Sequence, residues 1–390
     1  MRGIARSAEF IMTGGPVALS DRVRSALGDQ LLVHYSDEFR SLFRETQRMF
    51  GAFLRTDNDI IMLQGEALLA LEAVSVSGLD HGDVVVNVES GHYGEGNRYF
   101  LEKYGATAVP VATAWDTIVQ PEQLEAALEK HPEARLLWLV HCETPCGTQC
   151  DLEALARVGK EHGCLVCVDA VSSSGSTEIR TDEWGIDVII VGSQKVLGAP
   201  PGLSAMAVSE AAWERFRSVK APNRYSYFSI LDWKELWLEK EVWPYTPSVS
   251  DVAALHAAVS EYLELGHEEH FRRYAEVARA TRAGVRAMGL ELWADEDAHA
   301  CDVVTAVTTP AGVDAEGLRR RMREQFGVLI SGSLVNTPIH GKLVRIGHMG
   351  KTCSPTYAVA ALTAMGSCLR QMGRPVDVGA GVEAVLAALD

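Results

Sequence analysis

The chain has 390 residues, of which 47% are hydrophobic and 23% charged, with 34 Gly and 14 Pro; this ordinary composition excludes collagen-like, low-complexity and disordered classes. Lys and Arg total 36 against 52 Asp and Glu, a formal net charge of −16, so nucleic acid and anionic membrane surfaces are poor partners, while a local basic pocket for a small anion stays open. The length supports a large core in about two or three domains without disulfide or metal staples.

At the N-terminus, MRGIARSAEFIMTGG carries two arginines and an acid but no apolar stretch of the kind a secretory signal has. No apolar run approaches the ~20 residues that cross a bilayer, and a cytoplasmic protein is expected. Strands are predicted at 59–63 (DIIML), 83–90 (DVVVNVES), 134–141 (ARLLWLVH), 164–171 (CLVCVDAV), 187–193 (DVIIVGS) and 203–209 (LSAMAVS). Helix-period stretches lie between several of them, at 66–78, 94–104, 121–130 and 151–162. Apolar strands alternating with amphipathic helices specify an α/β fold with a mostly parallel sheet covered on both faces. Ligands of such sheets gather beyond the carboxyl ends of the strands.

Within HCETPCGTQC, Cys142, Cys146 and Cys150 have no second ligand cluster at zinc-like spacing, so no metal centre is expected. From about Asp251 a long helical stretch, interrupted near Gly266, leads to shorter strands at 302–309, 327–331 and 342–347 with helices around 314–325 and 354–371. These predict a large domain at 15–260 and a smaller α+β domain at 261–390, to which residues 1–14 are added.

The strongest chemical signal lies in residues 168–209. Asp169 ends one apolar strand, and Lys195 follows the next apolar run by three residues, before a Gly-Ala-Pro-Pro-Gly turn. Singly, an Asp and a Lys are ordinary surface residues; here both close apolar strands of one sheet and point to the same edge. A partly desolvated lysine has a lowered pKa and can form an imine with an aldehyde. A nearby aspartate can keep a pyridine nitrogen protonated and strengthen an electron sink. His141 and His348 lie near strand ends, where a buried, hydrogen-bonded histidine is the commoner role, and Trp233, Trp237 and Trp243 fit helix packing. No GxGxxG or P-loop pattern supports a dinucleotide or ATP site.

On these residues the chain resembles the class V aminotransferases of the fold type I pyridoxal-phosphate superfamily. TGGPVALS (13–20), HYSDEF (34–39), ETPCG (143–147), VDAVSS, GSQKVLGAPPGL and RIGHMG (345–350) carry the resemblance, the lysine motif most specifically. It implies a large domain with a seven-stranded, mostly parallel sheet and a smaller C-terminal domain. It further implies that Lys195 is the imine lysine, Asp169 the partner of the ring nitrogen and Tyr93 (in SGHYGEG) the residue stacked on the ring. Thr144 would lie beside the ring, Ser193 would be a further cofactor contact, and Arg345 would clamp a substrate carboxylate. Tyr245 and Thr246, in YTPSVS (245–250), would approach the partner subunit's pocket in a homodimer or dimer of dimers.

One departure stands out. Where the family has a small-residue turn whose backbone N–H groups hold the cofactor phosphate, this chain has Gln64-Gly65-Glu66-Ala67. A carboxylate there complements the helix dipole by about 0.3–1 kcal/mol. Alternatively, it fills the phosphate cup with negative charge: at ~4 Å and an effective dielectric of ~20, like charges repel by about 4 kcal/mol. A free 5′-hydroxymethyl group could instead donate to Glu66. With GAPPGL, SILDW (229–233) and HMGKTCSPTYAVAALTAMG (348–366), this makes the chain similar to family members that take unphosphorylated B6 vitamers as substrates. The resemblance then implies transamination between pyridoxamine plus a 2-oxo acid, pyruvate first, and pyridoxal plus an amino acid, L-alanine. The alternatives are a conventional aminotransferase of the alanine– or serine–glyoxylate type that holds pyridoxal 5′-phosphate, and a lyase or epimerase on the same scaffold. The segment SGSLVNTPIHGKLVR (331–345) is longer than in those vitamer-using members and lacks their second arginine; His340 is the candidate contact in its place, beside Arg345 and Glu66.

Overall fold

A computed structural model describes residues 10–389. Residues 1–9, which the sequence reading adds to the smaller domain and reads as lacking a signal, lie outside the described residues. The chain enters through strand β1 (Phe10–Met12) and helices α1 (Asp21–Gly28) and α2 (Asp37–Leu54). Ser20 and Ser36 cap the two helices, each hydroxyl accepting a first-turn N–H. There follow β2 (Asp59–Gln64), α3 (Ala67–Gly78), β3 (Val84–Glu89), α4 (His92–Lys103) and β4 (Thr107–Ala112). After the helix Pro121–Lys130 come β5 (Leu136–Val140) and a short hairpin of β6 (Cys142–Glu143) and β7 (Thr148–Gln149). The helix Leu152–Glu161 leads to β8 (Leu165–Asp169), β9 (Val188–Gly192) and β10 (Leu203–Val208).

The fold is α/β. Seven strands form one sheet in the order β2-β10-β9-β8-β5-β3-β4. β10 runs antiparallel to β2 and β9, and the remaining pairs are parallel. The six predicted strands form within two residues of their predicted ends. Their apolar runs are continuous because both faces are covered: β5, β9 and β10 are buried along their whole length. The seventh strand, β4, escaped prediction because TAVPVA is half-exposed and contains Pro110; it lies at the sheet edge, where a residue without N–H is tolerated.

A second, four-stranded sheet has the order β1-β12-β13-β11, from β11 (Val304–Thr308), β12 (Val328–Gly332) and β13 (Leu343–Gly347). β1 lies parallel to β12, so the start of the described chain packs with the C-terminal strands. Met12, Leu318, Ile330, Val344, Ile346, Leu362 and Met365 share a core there, separate from the larger one under the seven-stranded sheet. The interruption near Gly266 is real: the helix Val249–Leu265 ends at this residue, whose φ of +87° suits glycine, and the helix His267–Ala287 begins immediately after it. Trp237 and Trp243 stack at 3.7 Å beside Phe43, which confirms them as packing residues. No helix of the described residues is long and apolar enough to cross a membrane.

Candidate active site

Because β2, β3, β5, β8 and β9 run the same way, their carboxyl ends deliver their following residues to one sheet edge. A cavity of about 570 Å³ opens there, lined among others by Gly15, Glu66, His92, Tyr93, Asp169, Gln194 and Lys195. Four of the predicted site residues thus meet in one place, drawn from positions 66 to 195.

Lys195 is 7% exposed, and its Nζ donates to the Gly14 carbonyl at 2.7 Å. Burial, reinforced by the Arg345 cation, pulls its pKa down from 10.5 to about 8. The N-terminal segment covers it tightly: a Cβ on Gly15, whose φ is +101°, would stand 2.5 Å from Lys195 Cδ. Asp169 is 5% exposed; burial pushes its pKa up to about 6, although the Val171 N–H donates to Oδ1 at 2.9 Å. The charges of Asp169 and Lys195 act on each other, each favouring the other's ionised form.

Glu66 is the N-cap of α3, and its Oε1 accepts the Leu68 N–H at 3.1 Å. The dipole reading is therefore correct as far as it goes, since the carboxylate does cap the helix. It also lines the cavity, and its charge acts on Asp169 and Lys195. Gln194 Nε2 lies 3.5 Å from Glu66 Oε2, and Gln194 Oε1 is buried without a partner among the described residues. Tyr93 lines the cavity on the first turn of α4, its phenol pKa raised by burial.

Arg345, on β13, is buried beside Gly14, whose Cβ, if present, would stand 3.6 Å from its Nη1, and it does not itself line the cavity. Its Nε and Nη2 donate to the Gly332 carbonyl at 3.0 and 2.6 Å, and Nη1 donates to the Thr144 carbonyl at 2.9 Å. A guanidinium has five N–H donors, so two remain. Thr144 Oγ1 is buried with no partner among the described residues.

Other predicted residues point elsewhere in the single chain. The Ser193 hydroxyl donates to the Pro200 carbonyl within the lysine turn. Tyr245 Oη accepts N–H groups from Gln64 at 3.4 Å and Trp233 at 3.3 Å, and Thr246 is exposed. His340 is exposed on the loop before β13 and does not line the cavity. His141 and His348 are buried, with pKa values lowered by burial to about 3, as packing residues would be.

His92 and Gln194 line the cavity and Glu143 lies behind it, without a sequence motif that marks them. For Glu143 the segment ETPCG holds no such signal, since its partners lie about 50 residues earlier in the chain. Its carboxylate is buried under α4, accepting the Tyr93 and Gly94 N–H groups at 3.0 and 2.6 Å.

Comparison with known proteins agrees with this geometry. The aminotransferase class-V family model matches residues 24–350. The pyridoxamine–pyruvate transaminase of Mesorhizobium japonicum is 38% identical over 379 residues, covering 97% of this chain and 96% of that protein. The (S)-ureidoglycine–glyoxylate transaminase of Bacillus subtilis is 29% identical over 99% of this chain and 96% of its own length. The crystal structure of pyridoxamine–pyruvate aminotransferase from Mesorhizobium loti superposes with a TM-score of 0.96 at 38% identity, covering 100% of this chain and 99% of that one. With its seven-stranded sheet, buried lysine and buried aspartate, the chain belongs to the aminotransferase class-V family.

Proposed function

We propose that this transaminase takes an unphosphorylated B6 vitamer as substrate, converting pyridoxamine and a 2-oxo acid, pyruvate first, to pyridoxal and L-alanine. The observation that carries this reading is Glu66 at the N-terminus of α3. In the family this helix end would receive a phosphate; here a carboxylate already accepts its N–H. The donor set around it fits a neutral hydroxymethyl group and does not fit a phosphate. Glu66 Oε2, with Gln194 Nε2 at 3.5 Å, is a negatively charged acceptor, which a single hydroxyl can satisfy by donating and a dianionic phosphate cannot. The name of the relative at 38% identity supports the same assignment.

The pyridine ring, when bound, supplies the electron sink for breaking a substrate C–H bond. The remaining work falls to the chain. Tyr93 forms one wall against the ring, Thr144 lies at its side, and Asp169 keeps a proton on the ring nitrogen. Lys195, with a pKa near 8, is neutral often enough at physiological pH to bond to a carbonyl carbon. That bond forms with loss of water; once a substrate amine displaces Nζ from it, the freed lysine amine takes up and returns the proton of the amine-bearing carbon. Arg345 offers its two remaining N–H groups to the oxo-acid carboxylate. His340 and Lys342, on the loop before β13, are both exposed and neither lines the cavity.

Glu66→Ser tests the reading. Removing the Glu66 charge, which is exposed in the single chain and partly screened by water, should improve pyridoxal phosphate binding by about tenfold or more, while pyridoxal binding weakens. Both are read by absorbance titration near the band of the bound vitamer. If phosphate affinity does not improve, or if the wild type purifies with tightly held pyridoxal phosphate, the conventional aminotransferase alternative stands instead.

We further place the domain boundary near residue 260, with residues 10–14 joining the smaller unit, and the enzyme in the cytoplasm, since its eight free cysteines fit a reducing compartment. Leu68 (51% exposed) and Tyr99 (67%) stand at the cavity mouth, and we propose that a second copy of the chain covers them. Leu68→Glu is expected to shift the protein toward monomer in sedimentation velocity and to lower activity; an unchanged dimer with full activity removes this face from the interface.

A further inference from the structure

The β6–β7 turn links the cavity-lining helix α4 to the buried guanidinium of Arg345. Glu143 Oε2 accepts the Tyr93 N–H and Oε1 the Gly94 N–H. Gly91, the N-cap of α4, has no side chain to satisfy these donors, so a carboxylate from a segment some 50 residues away does so, at the positive end of the helix. The fit is close: a Cβ on Gly91 would stand 2.7 Å from Glu143 Cδ, and one on Gly94 would stand 2.5 Å from the Val88 carbonyl oxygen. The next residue reaches the opposite way, the Thr144 carbonyl accepting Arg345 Nη1 at 2.9 Å. The Cys146 and Gly147 N–H groups donate to the Glu143 carbonyl at 3.0 and 2.8 Å, which fixes the turn itself. Two consecutive residues therefore hold the Tyr93 backbone on one side and the Arg345 guanidinium on the other.

We propose that Glu143 is a positioning residue that sets Tyr93 relative to Arg345, aligning the ring of one reactant with the carboxylate of the other while touching neither. This rests on the reading of Tyr93 as the ring wall and Arg345 as the carboxylate clamp. A misplacement of about 1 Å between reacting groups is enough to lower a rate a hundredfold, so a rigid joint at this point matters more than its single pair of hydrogen bonds suggests. Burial raises the pKa of the Glu143 carboxyl while the two N–H bonds oppose that shift, in keeping with a group retained for geometry at the cost of desolvation.

Glu143→Gln keeps the size and one acceptor but turns an amide NH₂ onto a backbone N–H. The expected result is a fall of about tenfold or more in kcat/KM for pyridoxamine, carried more by kcat than by KM. The circular-dichroism band that pyridoxal gains on binding should weaken, with far-ultraviolet dichroism unchanged. Gly91→Ala presses on the same carboxylate with Glu143 intact; the Gly91 φ of 175° is extended backbone that alanine adopts freely. It should give the same pattern, and it answers the question if Glu143→Gln fails to fold. On a Tyr93→Leu background, Glu143→Gln should cost less than about a further twofold, because both act through one wall. Fully multiplicative losses overturn the proposal alone, as do wild-type kcat and dichroism in both Glu143→Gln and Gly91→Ala. Unchanged pyridoxal affinity in Tyr93→Leu overturns the reading of Tyr93 as the ring wall, and the proposal with it.

Discussion

Lys195→Met is expected to abolish transamination, lowering kcat/KM by about 10³-fold or more, while making the fold more stable. Both effects follow from burial of one amine. The unfolded lysine titrates near 10.5 and the folded one near 8, so between those values the unfolded state binds more protons and stability rises with pH. Below about pH 8 the wild type therefore carries a penalty of about 3 kcal/mol for holding this site, partly offset by the Lys195 Nζ bond to the Gly14 carbonyl. Methionine removes the penalty. Denaturant unfolding at pH 7 should show a gain of up to about 3 kcal/mol that shrinks as pH rises toward 10.5 and vanishes above it. For the wild type, kcat/KM should rise through a pKa near 8 as Nζ loses its proton, and small primary amines added to Lys195→Met should restore part of the activity. Residual activity within about tenfold of wild type, without added amine, would remove Lys195 from the chemistry.

Asp169→Asn is the second large effect. A carboxylate with a pKa near 6 is mostly ionised at pH 7 and can hold a proton on a neighbouring ring nitrogen; an amide of the same shape carries no charge to do so. A loss of about a hundredfold or more in kcat is expected, with pyridoxal binding reduced less. The pH profile supplies the sharper check. In the wild type, kcat/KM reports the free enzyme, and activity should decline as pH falls through about 6 and Asp169 takes up a proton. That acid limb should be missing in Asp169→Asn. If it persists unchanged, another group titrates there and Asp169 is not the ring partner.

Why these two residues were legible in the sequence is a matter of strand chemistry. Both close runs so apolar that burial on two faces is their only explanation, and a charge at the end of such a run has few places to go but the ligand edge. Glu66 was legible for a different reason, as an acid where the resembling family has small residues. Glu143 was not, because its importance lies in meeting a helix end contributed from about 50 residues earlier, and nothing in ETPCG declares that contact. Gln194 and His92 were hidden the same way, flanking residues already singled out. Strand β4 lacked the signal itself: one exposed edge, a proline and alternating small residues read as a loop. Ser193, Tyr245, Thr246 and His340 came from resemblance, not from pattern. In the single chain the Ser193 hydroxyl is taken up by the Pro200 carbonyl, while Thr246 and His340 face outward.

The pairing of β8 with β9, Asp169 opposite Ile190, has a bearing on how such a site can change over time. A residue inserted into β8 would shift its neighbours by ~3.3 Å and turn every following side chain of the strand to the opposite face, removing Asp169 from the cavity in one step, and one inserted into β9 would displace the turn that carries Lys195. The distance between them is therefore quantised and closed to gradual adjustment. What can drift is the material hung on the strand ends: the first turn of α3 with Glu66 and the loop 333–342 ahead of Arg345. Divergence of vitamer and oxo-acid preference, in nature or by design, is channelled into those two segments, where substitutions leave the strand pairing untouched.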